Sequence, residues 1–78
     1  MNFVEVVARF DQSGRAYPSQ FEWQGQFYLV ESVGRRWMDG TEEHILVMVP
    51  PGKVYELIFA KEEGSWYLEL PHRPIAPI

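Results

Sequence analysis

Arg35-Arg36-Trp37 is the arrangement in this 78-residue sequence best suited to recognition chemistry, with two guanidinium groups directly beside an indole. Guanidinium forks match phosphate oxygens in a bidentate fashion, and an exposed indole can stack on a nucleobase. Arg9, Arg15 and Lys53 would enlarge such a patch if folding gathered them, so Arg35, Arg36, Trp37 and Lys53 are candidate nucleic-acid contacts. The overall charge works against this reading. Eleven acidic residues against seven basic ones give a net charge of -4, and the long-range field of such a chain repels a polyanion. Only a segregated basic ridge would overcome it. The competing reading pairs the arginines with cross-strand carboxylates and places Trp37 in the core.

Five Phe, four Tyr and three Trp supply a second kind of candidate. Aromatic side chains bury large areas at modest entropy cost and commonly anchor protein interfaces. Tyr28, Tyr55 and Tyr67 are therefore candidate protein contacts, with Trp37 and Trp66 beside them. The same rings are also the material from which a domain this small must build its core.

Catalytic chemistry has little to work with. His44 and His72 are the two histidines, and no cysteine is present to serve as nucleophile or metal ligand. His44 follows Glu42 and Glu43, but consecutive strand residues point to opposite faces, so the three do not converge on one metal. The trio reads as a solvated strand end. Ser13, Ser19, Ser32 and Ser65 lie in no nucleophile elbow. Glu31, Glu56 and Glu69 offer carboxylates whose default role is solubility or cross-strand charge pairing. Phosphate-cradling, dinucleotide-binding, zinc-protease and calcium-loop motifs are missing from the sequence. The expectation is a noncatalytic chain with no cofactor and no metal.

Short elements must position these side chains. Six glycines and six prolines punctuate the chain evenly, and the apolar runs between them are four to eight residues long and rich in β-branched and aromatic types. Alternation over residues 3–10 places Val4, Val6, Ala8 and Phe10 on a core face. Residues 11–19 read as a polar loop, with Pro18 discouraging a helical Tyr17. Gln24-Gly25 suits a tight hairpin between residues 21–23 and a long strand over residues 26–37. Phe27 and Leu29 alternate there with Tyr28 and Val30, and two apolar faces predict a strand that is central, curved or covered on both sides. Gly34 suits a bulge or bend. Residues 44–49 bring Ile45, Val47 and Val49 to one face, with a Thr41-capped helical turn as competitor. Pro51-Gly52 fits a turn, and residues 54–60 and 66–70 form a last hairpin with Tyr55, Leu57 and Phe59 on the more hydrophobic face.

The predicted fold is therefore mainly β, a small strongly curved antiparallel sheet or partly open barrel of five or six strands, with one short helical turn as an option. Residues 1–70 are predicted to form a single compact domain and residues 71–78 an extended proline-rich tail. No leader-like or membrane-spanning run is evident, which predicts a cytoplasmic chain with no membrane partner. The expected partners are an unidentified protein or a second copy, with nucleic acid as the alternative. Scarce asparagine and absent cysteine are compatible with a thermophilic source.

The order FEWQGQFYLVESVGRRW followed by VYELIFAKEEGSWYLEL resembles a small bacterial domain family of uncharacterised function. The positions that carry the likeness are Phe21, Trp23, Gly25, Tyr28, Val30, Trp37, Tyr55, Leu57, Phe59, Trp66 and Leu68. Some members of that family are associated with translesion DNA synthesis proteins. The resemblance implies a β-hairpin-rich fold and an accessory role near DNA repair, exerted through protein or nucleic-acid contact, and it transfers no catalytic residue.

Overall fold

The computed structural model describes residues 2–69, so the tail expected over 71–78 lies outside the described residues. Seven strands follow one another along the chain: β1 (Asn2–Phe10), β2 (Ala16–Trp23), β3 (Gln26–Leu29), β4 (Ser32–Asp39), β5 (Glu42–Val49), β6 (Lys53–Ala60) and β7 (Ser65–Glu69). They form one antiparallel sheet in the order β3-β2-β1-β7-β6-β5-β4, curved into a half-barrel. This is the mainly β, strongly curved sheet that the sequence predicts, with seven strands where five or six are expected.

Strand β1 makes the curvature. Its first residues, Asn2 to Val4, pair with β7, and from Glu5 onward it pairs with β2. One strand thus belongs to both halves, and the two inner faces fold toward each other around Val4. The alternation expected for β1 and β5 holds: Val4, Ile45, Val47 and Val49 are buried. They meet Phe21, Leu57, Trp66 and Leu68 in one core. Burying a ring such as Phe21 stabilises the fold by about 1.5–3 kcal/mol. Phe10 differs from its expected place, being half exposed at the strand end and packed at 5.5 Å against Phe59.

Three local features depart from the sequence reading, each for an identifiable reason. The strand expected over 26–37 is two strands, because the chain turns a corner at Val30 and Glu31. There the Val30 N–H donates to Ser19 O in β2 at 2.9 Å, whereas the next amide, that of Glu31, donates to Met48 O in β5 at 2.8 Å. Pro18 lies inside β2 and not in a loop. Val7 pairs with Gln20 while Ala8 pairs with Pro18, so Ser19 is an extra residue, and at such a bulge a missing proline N–H is tolerated. The Thr41 helical turn does not form among the described residues. Asp39 pairs with Glu42 across Gly40 and Thr41, and Gly40 at φ 63 takes the first central position of a II′-type hairpin.

Other expectations are met. Gln24 and Gly25 have φ of 53 and 76, the paired positive values of a I′ turn. Gly34 lies in a bulge, since Val33 faces Val47 and Arg36 faces Ile45, leaving Gly34 and Arg35 opposite Leu46.

Candidate functional site

The β4 bulge decides the fate of the proposed basic ridge. Alternation sends Arg35 and Trp37 to one face and Arg36 to the other. The Arg35 guanidinium lies 5.4 Å from the centre of the Trp37 ring. Arg36 instead donates from Nη1 to Glu43 Oε2 at 2.9 Å, and the two side chains are only 18% and 7% exposed. Its guanidinium also lies over the Tyr17 ring at 4.8 Å, where Arg9 lies at 4.5 Å. Trp37 is half-buried and stacks on His44 at 5.2 Å with an interplanar angle of 16°. Lys53 is exposed opposite Val49, four residues along β5 from the Arg36 partner Ile45. Arg35, Arg36, Trp37 and Lys53 therefore do not share one surface. Of the competing reading, only Arg36 has its cross-strand carboxylate among the described residues, whereas Arg35 lies over Trp37 and Trp37 packs on the outer face and not in the core.

His44 is the clearest correction. The sequence reading makes it a solvated strand end, yet its side chain is 12% exposed and its Nδ1 lies 2.6 Å from Glu56 Oε2 on β6. Register lines up Trp37, His44, Ile58, Tyr67 and Phe3 in one row across the outer face of five strands. Those neighbours bury Ile58 to 2% exposure on a face that alternation assigns to solvent. Glu42 shares the face of His44, but its Oε1 is 3.9 Å from Nε2, too long for a hydrogen bond. Nε2 and Glu43 Oε1 are both buried without a partner among the described residues. Glu42 and Glu43 diverge to opposite faces as alternation requires, and among the described residues no group of three potential ligands converges on a metal position.

The tyrosine candidates serve the fold in two different ways. Tyr28 and Tyr55 are half-buried and pack with Phe21 at 5.0 and 5.6 Å and with each other at 5.6 Å. Tyr67 is on the outer face, where its hydroxyl donates to Glu63 Oε1 at 2.7 Å and its ring meets the edge of Phe3 at 6.2 Å. The Glu63 carboxylate raises the Tyr67 pKa above its usual value, chiefly through that hydrogen bond.

Two of the concavities among the described residues are lined by more than one charged side chain. One, of about 420 Å³, is lined by Arg15, Arg36, Trp37, Glu43 and Lys61, and its one deeply placed cation is already held by Glu43. The other, of about 330 Å³, lies on the outer face of β1 and β2 at the β3 edge, between Glu5, Val7, Gln20, Glu22 and Phe27. Beside it Phe27, Leu29 and Val7 are 65%, 66% and 56% exposed. Register places them in two rows, Glu5-Glu22-Phe27 and Val7-Gln20-Leu29.

No family model, curated protein or solved structure matches this chain. The site must be read from its geometry, and the geometry distinguishes the two edges of the sheet. Strand β4 carries a bulge together with Arg35, Arg36 and Asp39, features that discourage pairing with another strand. Strand β3 reads Gln-Phe-Tyr-Leu, with no charge, no proline and no bulge. The Val30–Ser19 hydrogen bond fixes the phase of its ladder. Gln26 and Tyr28 turn their backbone groups toward β2, and Phe27 and Leu29 turn theirs to the open side. Sequence reasoning does not single out Phe27 and Leu29 although their alternation is visible, because apolar residues on both faces of a segment fit a central, curved or covered strand as well as an exposed edge.

Proposed function

We propose that this chain is a noncatalytic protein-interaction domain whose contact surface is the outer face of β1, β2 and β3, ending at the open edge of β3. The observation that carries this reading is the exposure of Phe27 and Leu29 on an uncharged edge strand whose outward backbone groups belong to those same two residues. An edge of that kind supplies main-chain hydrogen bonds to an added strand, and the flanking side chains supply selectivity. Tyr28 packs beneath the edge and holds β3 against Phe21 and Tyr55, whereas Tyr67 lies away from it against Phe3 and Glu63.

The same reading leaves nucleic acid as the competitor to be tested. Capture of partners from the native cell extract, with and without nuclease, separates the two. Recovery of a defined protein that survives nuclease and is lost with Phe27→Ser supports protein contact. Recovery that disappears on nuclease treatment overturns it in favour of nucleic acid.

A further inference from the structure

We infer that the occupant of this surface is an extended segment of a partner protein reading apolar-x-basic, added antiparallel to β3 as a further strand. This rests on the protein-contact reading above and specifies the chemistry of the partner. A strand added next to β3 would continue the two rows of the outer face. The residue opposite Leu29 would join the row Val7-Gln20-Leu29, which is apolar at both ends. The residue opposite Phe27 would join Glu5-Glu22-Phe27, where two carboxylates stand directly opposite each other on adjacent strands.

Charge selects that second residue. Like charges placed directly across a sheet repel, and neither Glu5 nor Glu22 has an ion-pair partner among the described residues. A lysine or arginine opposite Phe27 would run across the ring, gaining a cation–π contact, and reach the groove that Glu5 and Glu22 line. The distance from the added strand to β2 is two strand spacings, about 9.5 Å, a span that an extended lysine meeting a glutamate can cross. A second copy of this chain is disfavoured by the same charges, since it would bring another -4 and another Glu5 and Glu22 to the contact. Antiparallel addition, matching the rest of the sheet, orders the partner sequence as apolar first and basic two residues later. With only Phe27 and Leu29 offering outward backbone groups, the contact is small and belongs to the transient class.

The test uses the full chain, isotopically labelled, and two capped synthetic peptides, TLTKT and TLTET. Backbone amide exchange is read at Phe27 and Leu29. TLTKT is expected to slow exchange at both amides and to bind about tenfold or more tightly than TLTET, a difference that salt reduces. The Glu5→Gln/Glu22→Gln double variant, altered only at solvent-accessible positions, is expected to bind the two peptides equally. Equal protection by both peptides on the unaltered chain overturns the basic occupant and leaves the β3 contact surface standing. Binding of TLTKT without protection of Phe27 and Leu29, or no binding by either peptide, overturns strand addition by this segment. Protection that appears without peptide and rises with protein concentration overturns it in favour of a second copy.

Discussion

Nδ1 of His44 on β5 lies 2.6 Å from Glu56 Oε2 on β6, and the imidazole is covered on one side by the Trp37 indole. This contact ties β4, β5 and β6 together on the outer face, where Ile58 is buried beside it. Removing the carboxylate leaves a largely buried imidazole nitrogen without its partner. Glu56→Ala should therefore destabilise the domain by about 1–3 kcal/mol, measured as a shift in the urea midpoint. A double-mutant cycle with His44→Ala should return a coupling of about 0.5–3 kcal/mol, and additive effects would show that the contact is not formed.

The two adjacent arginines should behave very differently. Arg36→Ala abandons the buried Glu43 carboxylate and should cost about 3–5 kcal/mol. Arg35→Ala removes an exposed cation from the Trp37 ring and should cost about 0.5–1 kcal/mol. Equilibrium unfolding of the two variants side by side checks the difference, and equal effects would contradict the assignment of opposite faces.

Acid should loosen the β1–β2 loop. Asp11 Oδ1 accepts from the Ser13 hydroxyl at 2.7 Å, from the Arg15 N–H at 2.9 Å and from the Ser13 N–H at 2.9 Å. These hydrogen bonds, the Ser13 hydroxyl first, lower the Asp11 pKa from 3.8 to about 2. A depressed carboxylate contributes stability that is fully present above the unfolded value and is lost as pH falls toward the folded one. The loss should fall between about pH 4 and pH 2. An NMR titration of the Asp11 carboxyl should give a midpoint near 2 in the native chain, and Asp11→Asn should remove this contribution to the acid sensitivity.

The hairpin leading into β3 holds a correctable residue. Gln24 occupies φ 53, a left-handed conformation that asparagine adopts more readily. Gln24→Asn should stabilise the domain by up to about 1 kcal/mol, read as a rise in Tm.

Much of the fold was legible because strand alternation and turn chemistry are local. Ile45, Val47 and Val49 followed from period two, Gln24-Gly25 from its position between apolar runs, and Gly34 from its place in the strand. The misreadings involve longer-range contacts. Pro18 could enter β2 only because the register slips opposite Val7 and Ala8, and the corner at Val30 and Glu31 depends on acceptors from two distant strands. Ile58 is buried by a row of residues drawn from four other strands. Phe27 and Leu29 alternate visibly in the sequence, but a strand with two apolar faces looks the same whether its second face is covered by another layer of the chain or left exposed. Sheet order, with β3 at the edge, separates those cases.

The most direct measurement compares partner recovery by the native chain with recovery by the Phe27→Lys/Leu29→Lys double variant at equal concentration. Both side chains are mostly exposed, so stability should change by no more than about 1 kcal/mol, and unfolding curves verify this. Charge on the edge strand opposes strand addition, and we expect recovery of the partner to fall about tenfold or more. Undiminished recovery by a folded double variant would contradict the assignment of β3 as the contact edge.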